Sequence, residues 1–144
     1  MGIQRMDHAG LTVADMPAAV AFFTALGMED AGGTTVEGED VDRIVGLDGV
    51  KSDVVMLQTP DGHGRIELSS FRSPSAEAGP GRALINVIGL RHVCFQVDDM
   101  DAALATAREH GGELVREVVT WGSVFKLAYV WGPEGIIVEL AEKL

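Results

Sequence analysis

The chain is short of basic residues, has a single cysteine and lacks any apolar run long enough to cross a bilayer. Eleven Lys and Arg stand against 22 Asp and Glu in 144 residues, a formal net charge of −11. A protein that grips a phosphate backbone relies on Lys and Arg to displace counterions, so the balance tells against nucleic acid as a partner. There is no basic amphipathic helix for an anionic membrane surface, and no stretch reaches the ~20 apolar residues of a membrane-spanning helix. The opening Met1-Gly2-Ile3-Gln4-Arg5-Met6-Asp7 has no apolar stretch of the secretion-signal kind. One cysteine, Cys94, excludes an internal disulfide framework and suits a reducing compartment, so the cytoplasm is the expected location. What remains is ordinary for a globular protein: 47% hydrophobic and 23% charged residues, enough for one domain or two small modules sharing a core. The acidity is expected to serve solubility, with carboxylates at a cation site contributing to it.

What the chain does have is a near-repetition. Asp7-His8-Ala9-Gly10-Leu11-Thr12-Val13-Ala14-Asp15-Met16 is echoed by Arg91-His92-Val93-Cys94-Phe95-Gln96-Val97-Asp98-Asp99-Met100. Gly64-Arg65-Ile66-Glu67-Leu68 is echoed by Gly135-Ile136-Ile137-Val138-Glu139-Leu140. Local syntax repeats with it. Residues 5–14 suit a strand, Asp15 offers an N-cap, Pro17 sits in the first turn, and 18–26 form a short amphipathic helix ended by Gly27. The second copy gives a strand over 90–97, a cap at Asp98 or Asp99, a helix around 100–110 and then Gly111-Gly112. Strand signals follow at about 41–47, 53–58 and 64–71, and again at about 113–120, 123–131 and 135–141. Turn compositions Thr59-Pro60-Asp61-Gly62-His63 and Gly132-Pro133-Glu134-Gly135 precede the last strand of each set. The expectation is an α+β fold of two tandem βαβββ modules, 1–71 and 89–144, joined by a linker over 72–88. A four-stranded sheet with one helix has one bare face, and pairing two such sheets would bury it and form a cleft.

Strand alternation then places chemistry. If Leu11 and Val13 meet the helix, His8 turns to the cleft; if Val93 and Phe95 pack, His92, Cys94 and Gln96 turn to it. The same alternation sends Arg65, Glu67 and Ser69, and Ile137, Glu139 and Ala141, to that side. Two imidazoles and two carboxylates suit a divalent ion such as Zn, Ni, Co, Mn or Fe. Such an ion acts as a Lewis acid on a bound oxygen, while a carboxylate shuttles a proton. A plainer reading stands beside each residue. Arg65 shares a face with Glu67 and is a rival partner for it. His63 belongs to a solvated turn, His110 to a helix C-terminus, and Cys94 to small buried filler. Phe71, Trp121, Phe125, Tyr129 and Trp131 are either cleft aromatics or core. Arg72 and Lys126 are either anion contacts or surface charges, and Asp15, Asp98 and Asp99 read as helix caps.

The phrases His8-x-Gly-Leu-x-Val-x-Asp, Phe22-Phe23-Thr24-Ala25-Leu26-Gly27-Met28, Gly89-Leu90-Arg91-His92-Val93 with Val97-Asp98-Asp99, and Gly132-Pro133-Glu134-Gly135 with Val138-Glu139-Leu140 span almost the whole chain. In them the chain resembles the vicinal oxygen chelate superfamily, which includes glyoxalase I, methylmalonyl-CoA epimerase, extradiol dioxygenases and bleomycin-type resistance proteins. The resemblance implies paired βαβββ modules, a homodimer, a small-molecule substrate, and metal ligands at His8, Glu67, His92 and Glu139. A glutamate at position 67 resembles glyoxalase I, whereas extradiol dioxygenases lack a ligand there and methylmalonyl-CoA epimerases often carry an amide. This implies a metal-dependent lyase or isomerase that moves a proton through an enediolate-like intermediate, with Glu67 or Glu139 as the catalytic carboxylate. The alternatives are an iron-dependent ring-cleaving dioxygenase and an antibiotic- or natural-product-binding resistance protein. Two departures from glyoxalase I tell against glutathione recognition. Pro17-Ala18-Ala19-Val20-Ala21 has no arginine ahead of the helix aromatics, and Ser69-Ser70-Phe71-Arg72 has no asparagine after the glutamate. The stretch from His8 to Glu67 also exceeds that from His92 to Glu139. The surplus falls around the Gly-rich residues 32–50, where a substrate-specific loop is expected.

Overall fold

Asp15 begins the first helix as the sequence leads one to expect. Its Oδ1 accepts the Ala18 backbone N–H at 2.9 Å, satisfying one of the donors a helix start leaves free. The helix runs over Met16–Ala25 (α1) and buries Ala19, Phe22 and Phe23. The two phenyl rings meet edge to face at 5.2 Å, the arrangement their quadrupoles favour. Burying each such ring is worth roughly 1.5–3 kcal/mol. In the second copy Asp99, rather than Asp98, caps the helix Met100–Glu109 (α3), its Oδ1 taking the Ala102 N–H at 2.9 Å. Met100, Leu104 and Ala107 form the buried stripe of α3.

The computed structural model describes residues 1–144, which divide into two compact units, Met1–Glu77 and Ala78–Leu144. The fold is α+β, with two sheets and three helices, in the tandem βαβββ arrangement. The first unit holds strands Ala9–Thr12 (β1), Glu29–Glu37 (β2), Lys51–Gln58 (β3) and Arg65–Ser73 (β4), in spatial order β1-β4-β3-β2. The second holds His92–Val97 (β5), Glu113–Leu114 (β6), Val119–Trp121 (β7), Phe125–Trp131 (β8) and Ile137–Lys143 (β9). Its order is β5-β9-β8-β6, with β7 also paired to β8. Each sheet joins its first strand to its last in parallel and is otherwise antiparallel. No helix is long and apolar enough to cross a membrane.

Several local expectations are corrected. The strand signal at 41–47 is instead a helix, Glu39–Val45 (α2), which buries no residue. Its β-branched residues read as strand, but Gly46 closes it with a left-handed cap. The Asp42 carboxylate ties the following loop by accepting the Gly49 and Val50 N–H groups, each at 2.8 Å. The strand β2 is one that the residue pattern does not announce, because nearly all its residues are exposed and it has no apolar face to alternate. The region 113–120 breaks into β6 and β7, and the first strand is only Ala9–Thr12, so His8 stands just ahead of it.

Candidate metal centre

Parallel pairing positions the candidate ligands within each unit. In the first, Gly10 lies opposite Glu67 and Ala9 opposite Ile66. Partners in register point to the same side of a sheet, so buried Ala9, Ile66 and Leu68 take one face and Gly10 and Glu67 the other. His8 Nε2 lies 3.7 Å from Glu67 Oε2. In the second unit Cys94 lies opposite Glu139 and His92 opposite Ile137, and His92 Nε2 lies 3.1 Å from Glu139 Oε2. The structure therefore brings His8 to Glu67 and His92 to Glu139. Neither unit by itself gathers a third His, Cys, Asp or Glu that could complete a metal site with its pair.

The surroundings of the pairs differ. Arg65, a rival partner for Glu67, turns to Asp7 instead, its Nη1 lying 3.2 Å from Oδ2. Asp7 also takes an N–H from Arg5 at 3.0 Å, and its Oδ2 sits 2.8 Å from His8 Nδ1. The His8 contact first, and then Arg5, hold the Asp7 carboxyl below the usual carboxylate range. Glu67 thus keeps His8 as its only basic neighbour and is 34% exposed at the side chain. Glu139 is 19% exposed, between Val138 and Leu140, which are fully buried.

Tyr129 pairs with Glu139 across β8 and β9, and its ring centroid lies 5.3 Å from that of His92. Burial, then the Glu139 charge, raises the Tyr129 hydroxyl pKa. Cys94 is exposed rather than buried filler. Desolvation of its thiol, followed by the Glu139 charge, pushes its pKa up to about 11, so at neutral pH it is a protonated donor beside Glu139.

The remaining candidates sort out plainly. Ile137 and Ala141 share the sheet face of Glu139 as the alternation expects and are themselves buried, Ile137 paired with buried Trp131. Trp121 is exposed, and Phe71 and Phe125 are half-buried. Arg72 grips Asp53 through Nε and Nη2, at 2.7 and 2.8 Å. Lys126 pairs with Glu142 at 3.1 Å, and Glu142 also accepts the Met100 N–H at the start of α3. Neither cation is free for an anionic substrate. The residue that pattern reading passed over is Asp7, although the dipeptide Asp7-His8 was its signal.

The donor chemistry fits a divalent ion. Each unit offers one imidazole Nε2 and one carboxylate on a shared sheet face, and neither carboxylate is neutralised by a Lys or Arg. A family model described as the Glyoxalase/Bleomycin resistance protein/Dioxygenase superfamily matches residues 5–140. A solved glyoxalase family protein from Bacillus cereus is 39% identical, with a TM-score of 0.95 covering 100% of this chain and 97% of that one. An uncharacterized protein of Escherichia coli (strain K12), YaeR, is 28% identical over 99% of both chains. The fosfomycin resistance protein FosX of Listeria monocytogenes, solved with Mn(II) and dihydroxypropylphosphonic acid, shares the fold. Its TM-score is 0.65 at 15% identity, over 99% of this chain and 95% of that one.

Proposed function

The chain belongs to the Glyoxalase/Bleomycin resistance protein/Dioxygenase superfamily, and from that premise we propose that it is a metal-dependent lyase or isomerase acting by proton transfer on a small oxygenated substrate. Its ligands in this reading are His8 and Glu67 from one half-site and His92 and Glu139 from the other, together holding one ion of the Zn, Ni, Co, Mn or Fe kind. The observation that carries the reading is the recurrence of one imidazole–carboxylate pair on the same parallel strand pair of each unit. A bound divalent ion would supply Lewis acidity and a grip on adjacent substrate oxygens.

The chain's own residues do the rest. Glu67 has no Lys or Arg within ion-pair reach and is the more exposed of the two carboxylates, so it is the one open to take a proton from a substrate carbon. Glu139 is held between His92 and the Cys94 thiol and is the less exposed of the two, which suits it to a holding role. Tyr129, beside His92 and opposite Glu139, offers a protonated hydroxyl to a substrate oxygen. A homodimer belongs to the same reading, supported by Leu84, Ile88 and Leu90, apolar residues left to solvent that a second copy would cover. So does a cytoplasmic location, on the strength of the lone thiol.

The test is metal analysis of protein purified without added ions. About one transition metal per chain, lost in Glu67→Ala and His92→Ala, is the expected result. No uptake at any metal concentration overturns the reading. Oxygen consumption with catechols would move it to a ring-cleaving dioxygenase.

A further inference from the structure

Asp7 meets His8 at the ring nitrogen opposite the one turned to Glu67. Its Oδ2 lies 2.8 Å from Nδ1, while Nε2 lies 3.7 Å from Glu67 Oε2. Arg5 and Arg65 flank the same carboxylate, at 3.0 and 3.2 Å. A carboxylate in that setting has only lone pairs to offer, so Nδ1 carries the hydrogen. A neutral imidazole with its hydrogen on Nδ1 leaves the Nε2 lone pair bare, on the side of Glu67.

The second copy has no equivalent. The residue echoing Asp7 is Arg91, which cannot accept a hydrogen bond and donates instead to the Ala83 carbonyl at 2.8 Å. His92 has an acidic contact at Nε2 alone, with the Tyr129 ring beside it. The carboxylate behind the imidazole is thus a feature of one half-site and not of the repeat.

We propose that Asp7 is a positioning residue, which locks His8 in the Nδ1–H tautomer and so presents Nε2 to a divalent cation shared with Glu67. This rests on the metal-binding reading above. A carboxylate behind a ligating histidine fixes ring orientation and raises ligand basicity, and losing one typically costs ~10–100-fold in metal affinity. The rival role is a surface ion pair with Arg5 and Arg65, which would leave the imidazole tautomer untouched.

The experiment has two readings. Nitrogen-15 NMR of the metal-free protein reports which ring nitrogen of each histidine bears the hydrogen, and zinc alone, titrated against a competing chelator, reports affinity. In the wild type His8 is expected as the Nδ1–H form. Asp7→Ala shifts it toward Nε2–H, leaves His92 unchanged and weakens zinc binding about 10–100-fold. Asp7→Asn, whose side-chain carbonyl still accepts from Nδ1, recovers part of both. Arg65→Gln, which removes only the ion pair, leaves the tautomer as it was. If Asp7→Ala does not fold, Asp7→Ser, too short to reach Nδ1, carries the same readings. A wild-type His8 found as Nε2–H overturns the proposal. So does a wild type that binds zinc with an Asp7→Ala variant that binds it equally well, and that result leaves the metal reading standing. A wild type that takes up no zinc overturns both.

Discussion

His8 stands one residue ahead of β1 and leans on a carboxylate, whereas His92 is the first residue of β5 and lies against a phenol ring. Their glutamates differ in the same sense. Glu67 is 34% exposed with His8 Nε2 at 3.7 Å, and Glu139 is 19% exposed with His92 Nε2 at 3.1 Å. The backbone scheme is common to both units, since each glutamate sits on the last strand, paired in parallel to the first. What differs is the means of support. The first pair is flanked by the charges of Asp7, Arg5 and Arg65, the second by the Tyr129 ring, with only the glutamate less exposed and the two histidines alike at 35% and 37%. A duplicated fold therefore repeats the positions of one histidine and one glutamate without repeating the environment around them.

The sharpest way to break the comparison is to remove each glutamate in turn. An interaction in a less exposed setting is less screened, so Glu139→Ala is expected to lose more zinc affinity than Glu67→Ala. Both losses should exceed the ~100-fold upper range of outer-shell changes. Equal losses in a zinc titration would show that the difference in burial has no bearing on the ion.

A smaller effect separates the glycines that precede the two glutamate strands. Gly135 has φ +74° and no room for a Cβ, which would run into the Gly81 and Arg82 backbone. Gly64 would meet only the Thr59 side chain, at 3.0 Å. Gly135→Ala should destabilise by about 2–4 kcal/mol, combining left-handed strain with overpacking. Gly64→Ala should stay near ~1 kcal/mol, since a side chain can yield. Chemical denaturation of the two variants decides.

The smallest effect is on acid stability. The Met100 N–H, followed by Lys126, holds the Glu142 carboxyl below its ordinary range. The unfolded chain then binds the proton more readily than the folded one. The stabilisation is accordingly complete above the ordinary carboxylate pKa of ~4.3 and lost as pH falls through the depressed folded value. Glu142→Gln should flatten the acid side of a plot of unfolding midpoint against pH. Part of the slope should remain from Asp53, which Arg72 and then Thr35 hold low in the first unit. An unchanged slope would mean that the cap on α3 does not couple to protonation.

The two βαβββ units were legible where their signals are local. Asp15 and Asp99 cap helices because a short oxygen side chain three residues ahead of a free N–H suffices, whatever the rest of the chain does. The strands β4, β5, β8 and β9 fell close to the segments expected, since a strand packed on one face by a helix writes its alternation into the residues. The strand β2 and helix α2 were not legible, for opposite reasons. A strand exposed almost throughout has no apolar face to reveal it. Ile44 and Val45 carry β-branched side chains but are exposed on a helix, Ile44 at 83%, so their propensity misleads.

Sequence alone determined that each copy carries one histidine and one glutamate, and the faces of Glu67, His92 and Glu139, because side-chain direction along a strand follows from its period of two. Only the tertiary structure decided which neighbours those residues keep. Arg65 and Glu67 share a face, and nothing in their spacing says that the guanidinium turns to Asp7. Nor does Tyr129 differ by pattern from Phe125 or Trp131 until the register of β8 on β9 sets it opposite Glu139. Choices of that kind depend on distances between strands far apart in the chain, and those distances exist only once the sheet has formed.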